Sequence, residues 1–335
     1  MKTTLTLETT YAPIAAGIQR VPAVIKETLR TPSRQIEDVV QYFFSKHGKL
    51  LRPALVFLGG GMARSLVPVA EVVSERQETS EVHLAAATEI FHAATLIHDD
   101  IIDSAPIRRG LLSLHVKWGP QTAVLAGDFF HDKAIVTIFR YGNERIIPLF
   151  LKTAGEICEG EVQELSEKNN INLSEATHFE ILEKKTASLL ACSLQTGALI
   201  WGMDETRVDA LGRYGHAFGM AFQIIDDYLD FTGRESEFGK TLGADLEEGV
   251  YTLPVIHCLA SSDRDKVVRI LHARNHAKRF PMLKELLQKS GALTYSLGKA
   301  RAFIHQAKQA LVSFPESEFK NSLFDLADYV IQRER

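Results

Sequence analysis

Six aspartates in two short segments are the residues of this chain best suited to chemistry. Asp99, Asp100 and Asp103 form one cluster, and Asp226, Asp227 and Asp230 form the other; each reads Asp-Asp-x-x-Asp within an apolar stretch. Residues four apart share a helix face, so the first and last carboxylates of each box project together. Burying like charges without a counterion is expensive, and an arrangement made twice calls for a common cation. A hard divalent ion with oxygen ligands fits, and Mg²⁺ brings substrate phosphates with it.

Basic residues accompany the boxes. Lys49 and Arg52 lie in Gly48-Lys49-Leu50-Leu51-Arg52-Pro53, and Arg108 and Arg109 follow the first box. Lys185 and Thr186 precede Ala187, and Lys240 follows Gly239. Taken singly, each is an ordinary solvated cation. Beside two metal-type boxes they make a set suited to two phosphate-bearing groups, because arginine gives bidentate contacts and lysine a movable point charge.

The elements that must position these residues read as helices. No proline interrupts the chain between Pro148 and Pro254. Apolar residues recur there at helical spacing, as in Ile181, Leu182, Leu189, Leu190 and Leu194, or Phe218, Ala221, Phe222, Ile225 and Leu229. Thr31-Pro32-Ser33 supplies a helix start, and 317–335 reads as a terminal amphipathic helix with Leu323, Leu326, Tyr329 and Val330 as its stripe. Alternating runs with hairpin turns are scarce. The expectation is all-α: a single large helical bundle over 1–335, with a short N-terminal extension over about 1–20 and the two boxes facing each other across a central cavity.

Composition narrows the function class. Among 335 residues, 45% are hydrophobic and 24% charged, with a net charge of −4, which gives no reason to expect nucleic acid. No run approaches the length of a membrane span, and the first residues lack a secretory core. Cys158, Cys192 and Cys258 lack metal spacing and read as free thiols of a reducing compartment. A cytoplasmic protein is expected. Trp118 and Trp201 read as packing residues, and His98 as either a packed helix histidine or a partner of the box it precedes.

From near Gln35 to Arg333 the chain resembles the trans-type (all-E) isoprenyl diphosphate synthases. The likeness runs through Gly48-Lys49-x-x-Arg52-Pro53, Glu89-Ile90-Phe91-His92, the first box with Arg108-Arg109-Gly110, Gly127-Asp128 and Gly160-Glu161. It continues through Lys185-Thr186-Ala187, Phe222-Gln223-x-x-Asp226-Asp227-x-x-Asp230, Gly239-Lys240, Asp245-Leu246 and Thr252-Leu253-Pro254. The resemblance implies head-to-tail condensation of isopentenyl diphosphate onto an allylic diphosphate. Mg²⁺, three ions per site, would bridge Asp99, Asp103 and Asp226, with Asp100, Asp227 and Asp230 in or near the shell. Arg108, Lys185 and Lys240 would grip the allylic phosphates, and Lys49, Arg52, His92 and Arg109 would bind isopentenyl diphosphate without metal. Thr186 and Gln223 would turn oxygen dipoles toward the allylic cation. The resemblance also implies a homodimer without a membrane span, touching membranes transiently to release product.

The chain departs from the family pattern at His47, where a glycine is usual, at Leu50, where an arginine is common, and at Val250, where many relatives carry lysine. Ala94 and Thr95, one turn before Asp99, leave the family's product tunnel open, and Phe91 is the next candidate floor, with Phe129 or Phe130 as others. A long-chain polyprenyl product is expected; the alternatives are a geranylgeranyl diphosphate synthase and the catalytic subunit of a two-component synthase. A cyclase needs only one diphosphate site, and a non-catalytic subunit would not keep all six aspartates.

Overall fold

The computed structural model describes residues 6–46, 48–66, 74–233, 242–273 and 276–332. Helices dominate, as the periodicity predicts. The only strands among the described residues are the two-residue β1 (Ile107–Arg108) and β2 (Leu111–Leu112), paired antiparallel. Arg109 and Gly110 join them with φ of 52° and 73°, and a two-residue hairpin turn with both φ positive matches the right-handed strand twist. The turn fixes the two arginines next to the first box.

Four long helices carry the site. α5 (Glu75–Ile102) ends in the first box, and α11 (Glu205–Thr232) ends in the second. α7 (Pro120–Tyr141) packs along α5, and α8 (Ile146–Glu167) reaches the helix pair α9 (Glu175–Leu182) and α10 (Ser188–Ile200). A five-residue π-helical turn, Glu183–Ala187, joins α9 to α10. α4 (Leu51–Arg64) is buried from Pro53 to Ala63 and lies against α5 and α10; a helix apolar on all sides belongs inside. α16 (Ala292–Ala310) flanks α11, and a smaller apolar core, including Leu246, Val255, Leu283 and Leu287, sits on Phe231 near the end of α11.

Both chain ends pack onto this body. Ile14 joins Val21 and Ile25 of α2 (Ala15–Thr28) in the main core, so packing continues into the segment read as a short extension. α3 (Arg34–Phe43) begins after Ser33, whose hydroxyl makes no cap bond. α17 (Glu318–Gln332) buries Leu323, Leu326 and Val330, three of the four stripe residues.

Far from the boxes, one polar knot ties helices together. The buried Glu81 on α5 accepts two 3.0 Å hydrogen bonds from Arg64 of α4 and one of 3.0 Å from the Trp201 indole, and Arg64 stacks on that indole. Trp201 is therefore a packing residue. Removing one partner of a buried pair leaves the other's desolvation uncompensated. Glu81→Ala is expected to cost about 2–3 kcal/mol in urea unfolding; a loss under about 0.5 kcal/mol, the scale of ordinary surface changes, would show that the knot contributes nothing.

Candidate active site

The two boxes share one asymmetry. In each, the middle aspartate is buried and the outer two are partly open: Asp100 and Asp227 are both 3% exposed, while Asp99, Asp103, Asp226 and Asp230 are intermediate. Helix geometry explains this, since residue i+1 is turned about 100° from residue i, whereas i+4 nearly returns to it. The buried members serve as anchors. Asp100 Oδ1 accepts hydrogen bonds from Arg108 Nε at 2.8 Å and Nη2 at 2.5 Å. Asp227 Oδ1 accepts from Gln223 Nε2 at 2.9 Å, and its Oδ2 lies 3.7 Å from His178 Nε2. One oxygen of each thus meets a protein donor, Arg108 for Asp100 and Gln223 for Asp227. Asp230 Oδ1 accepts the Gly243 amide at 3.0 Å.

α8 supplies a middle layer that sequence reasoning left unassigned. Lys185 on the π turn pairs with Glu161 at 2.7 Å and with Glu164, and Lys168 pairs with Asp103 at 3.2 Å. A π turn redirects side chains and is frequent at functional sites. Here Lys184 pairs with Glu180 and Glu159 while Lys185 pairs with Glu161 and Glu164. The close approach needs Gly160, where a Cβ would come within 2.7 Å of Lys184 Cβ and 3.0 Å of Lys185 Cγ. Next to Lys185, Thr186 Oγ1 donates to Gln223 Oε1 at 2.9 Å, which continues to Asp227. Gln223 Oε1 thus accepts one hydrogen bond from Thr186, whose own oxygen keeps its lone pairs.

The electrostatics suit a divalent cation. Burial, then Glu161 and Asp103, push Asp99 up to about 7, against the opposing pull of Lys185 and Arg108. Burial, then Asp245, hold Asp227 well above the carboxylate range. Glu164 is raised as well, chiefly by burial. Among the described residues no three His, Cys, Asp or Glu side chains converge into a ready-made metal cage. Paired carboxylates short of a full cage are what Mg²⁺ needs when substrate phosphates complete its shell.

The second site is basic and separate. Lys49, Arg52, His92 and Arg109 line one cavity of about 590 Å³, between the start of α4, α5 and the hairpin turn. Leu50 precedes α4 with a left-handed φ of 49°, turning the chain between Lys49 and Arg52. Burial, then Arg109, lower Arg52 to about 10 against the pull of Glu89, so it remains charged at neutral pH. Burial, then Arg52 and Arg109, hold His92 well below its usual range, so it is a neutral hydrogen-bonding ring. Both side chains are deep yet keep accessible surface, because they face a cavity. Glu89, one turn from His92, lines the same cavity and is raised by burial despite Arg52 and Arg109. Tyr11 and Tyr329 close it from the two chain ends, and Lys49 lies 5.7 Å from the Tyr329 ring centre. Sequence reading quoted Glu89 without a role; its acid in an apolar run, three residues before His92, was the signal. Tyr11 carried none.

Ala94 is buried, and Thr95 Oγ1 donates to the His92 carbonyl. Phe91 is buried with its ring 5.1 Å from Phe150 and 5.4 Å from His131. Phe130 instead stacks on Phe44. His98 lies 3.3 Å from Asp128. Lys240 falls outside the described residues. A cavity of about 1180 Å³ lies elsewhere, between α8, α10, α11 and α16, and none of the six aspartates lines it.

A family model described as Polyprenyl synthetase matches residues 33–288. The geranylgeranyl diphosphate synthase of Methanosarcina mazei is 34% identical over 327 residues, covering 94% of this chain and 95% of that protein. The heptaprenyl diphosphate synthase component 2 of Geobacillus stearothermophilus is 32% identical over 328 residues, covering 98% and 99%. A crystal structure of polyprenyl synthase from Caulobacter crescentus, complexed with calcium and isoprenyl diphosphate, matches with a TM-score of 0.90 and 30% identity, covering 100% of both chains.

The separation of the two sites has a direct consequence. Inorganic diphosphate in EDTA is expected to bind the basic cavity, with Arg52→Gln or Arg109→Gln weakening it at least about tenfold and Asp99→Asn leaving it unchanged. Calorimetry showing the reverse dependence would place the metal-free anion site elsewhere.

Proposed function

The chain belongs to the polyprenyl synthetase family, and on that premise we propose how its residues divide the work of a head-to-tail prenyl transfer. The protein is a prenyltransferase, a polyprenyl diphosphate synthase, and divalent-metal use goes with the family. The allylic diphosphate sits between the boxes, with Asp99, Asp103 and Asp226 as metal ligands and Asp230 beside them. Bound there, Mg²⁺, three ions per site, supplies the charge that neutralises the departing diphosphate. Arg108, oriented by Asp100, and Lys185, held by Glu161 and Glu164, add fixed positive charge to the same oxygens; Lys240 is the third grip. Isopentenyl diphosphate binds on Lys49, Arg52, His92 and Arg109.

As the allylic carbon–oxygen bond breaks, the free lone pairs of Thr186 face the developing cation. The isopentenyl double bond forms the new carbon–carbon bond, and the released diphosphate takes the proton lost from the adjacent carbon. Phe218 and Phe222 of α11 line the basic cavity with its cations, helping to keep water from the allylic cation. The observation that carries this reading is the juxtaposition of a carboxylate cluster with a cationic cavity, one site for each diphosphate. Val250, whose amide donates to the Asp245 carbonyl at 2.8 Å, contributes no charge there.

The product belongs in the long-chain range, since Ala94 and Thr95 present no bulk one turn below Asp99. Phe91 against Phe150 and His131 is the next wall, and a wall that closed fully would give geranylgeranyl diphosphate instead. A homodimer fits the surface. Among the described residues, all exposed large apolar side chains but Met282 and Val312 fall between Ile102 and Leu165, including Val136 and Phe139 on α7 and Leu151 and Val162 on α8. A two-component assembly would use the same face for a different partner. Among the described residues no helix is long and apolar enough to cross a membrane; we place the enzyme in the cytoplasm, touching membranes only to hand over product.

With Mg²⁺, isopentenyl diphosphate and farnesyl diphosphate, the chain alone is expected to make a ladder ending beyond geranylgeranyl diphosphate. Asp99→Ala or Asp226→Ala should lower kcat at least about 10²–10³-fold with the fold intact, and Ala94→Phe should shorten the product. Full turnover in either aspartate variant would overturn the metal assignment, and unchanged length in the third would misplace the tunnel. Sedimentation should give a dimer that Phe139→Glu with Val162→Glu dissociates; a dimer surviving both would put the interface elsewhere.

A further inference from the structure

α8 ends at Glu167, and the chain turns away from it at Lys168, whose φ of −57° and ψ of 132° are no longer helical. Asn169 follows with a left-handed φ of 61°, a conformation asparagine tolerates at a helix stop. Its amide donates to the Gly249 carbonyl at 2.8 Å. Gly249 has a φ of 79°, and Asn169 packs so closely on it that a Cβ there would lie 2.6 Å from Asn169 Nδ2. The backbone at Lys168 is thereby pinned to the loop running from Gly243 to Val250. That loop is tied to the second box, because the Gly243 amide donates to Asp230. The Lys168 ammonium meets Asp103 of the first box at 3.2 Å, and both side chains are partly open. Lys168 thus stands where the loop and the surroundings of both boxes converge. Val250, where many relatives carry lysine, directly follows Gly249 and brings no charge. The cation absent at 250 is matched by one on the segment hydrogen-bonded to it.

We propose that Lys168 is a further ligand of the allylic diphosphate, supplying from the end of α8 the positive charge that Val250 lacks. The inference rests on the placement of that diphosphate between the boxes. Lys185 is held by two carboxylates, Glu161 and Glu164, whereas Lys168 faces Asp103, a residue that placement gives to metal. In the empty site the ammonium offsets the Asp103 charge. With Asp103 engaged by metal, the ammonium is released from it, and its long flexible stem lets it turn to the diphosphate oxygens. Its charge then adds to that of Arg108 and Lys185 as the carbon–oxygen electron pair passes to the leaving diphosphate.

The test titrates geranyl thiolodiphosphate with Mg²⁺ calorimetrically into the full chain, Lys168→Gln, and Lys168→Gln combined with Val250→Lys. Lys168→Gln should weaken binding at least about tenfold, the scale of one charge-assisted hydrogen bond. Adding Val250→Lys should restore most of that loss, because a cation returns on the neighbouring segment; a merely structural role for Lys168 would not be repaired this way. Isopentenyl diphosphate should bind all three proteins equally in EDTA, which also shows that the variants are folded. Without any diphosphate, Lys168→Gln should bind Mn²⁺ at least as tightly as the unaltered chain in electron paramagnetic resonance, since the lysine competing for Asp103 is gone. In Mg²⁺ turnover the KM for geranyl diphosphate should rise in Lys168→Gln while the KM for isopentenyl diphosphate stays. Unchanged thiolodiphosphate affinity in Lys168→Gln, a loss that Val250→Lys does not repair, or weakened Mn²⁺ binding without diphosphate would overturn the proposal. Failure of the unaltered chain to bind the thiolodiphosphate in Mg²⁺ would overturn the allylic placement instead.

Discussion

Asp99 and Asp227 sit where their charge is penalised, by burial first and then by neighbouring carboxylates: Glu161 and Asp103 for one, Asp245, Asp226 and Glu164 for the other. Most of the polar contacts around the boxes compensate for that crowding. Arg108 braces Asp100, Lys168 meets Asp103, Lys185 is shared by Glu161 and Glu164, and Gln223 donates to Asp227. These contacts fix the middle aspartates and leave the outer ones partly open. On the role we propose for the boxes, positive charge delivered with a diphosphate would meet a set of oxygens already aimed, with little reorganisation left when the leaving group departs.

The basic chamber inverts this arrangement. Its cations lie around one carboxylate, Glu89, and burial depresses Arg52 and His92 as it raises Asp99 and Asp227. His92 consequently contributes a neutral ring, and the charge comes from Lys49, Arg52 and Arg109. On the assignment we propose, one chamber calls for cations and the other supplies them, which would sort two chemically similar diphosphates by the metal each needs. The hairpin turn links the sites: Arg108 ends β1 and pairs with Asp100, while Arg109, turned by its left-handed φ of 52°, lines the basic chamber.

The helical class was legible because apolar spacing holds over long proline-free stretches, and the boxes were legible because three acids in an apolar run are costly without a purpose. That Asp100 and Asp227 turn into the protein follows from the same helical periodicity that aligns the outer pairs. Glu161, Glu164 and Lys168 were not legible: on α8 their spacing matches an ordinary solvated face, and only the approach allowed by Gly160 brings that face to Lys185. Tyr11 joins the basic chamber through contacts between distant parts of the chain, which no local pattern encodes. The Gln223 amide bridges Thr186 and Asp227, a pairing that depends on the π turn between α9 and α10 and that no local sequence pattern encodes.

The central claim is that the two carboxylate boxes are halves of one site, completed by a diphosphate. Titrating Mn²⁺ into the chain by electron paramagnetic resonance, with and without an unreactive allylic thiolodiphosphate, tests it most directly. The account predicts weak Mn²⁺ binding by the chain alone and tight binding of several ions once the thiolodiphosphate is present, the tight binding lost in both Asp99→Asn and Asp226→Asn. Equally tight Mn²⁺ binding without the diphosphate, or tight binding that survives either substitution, would contradict it.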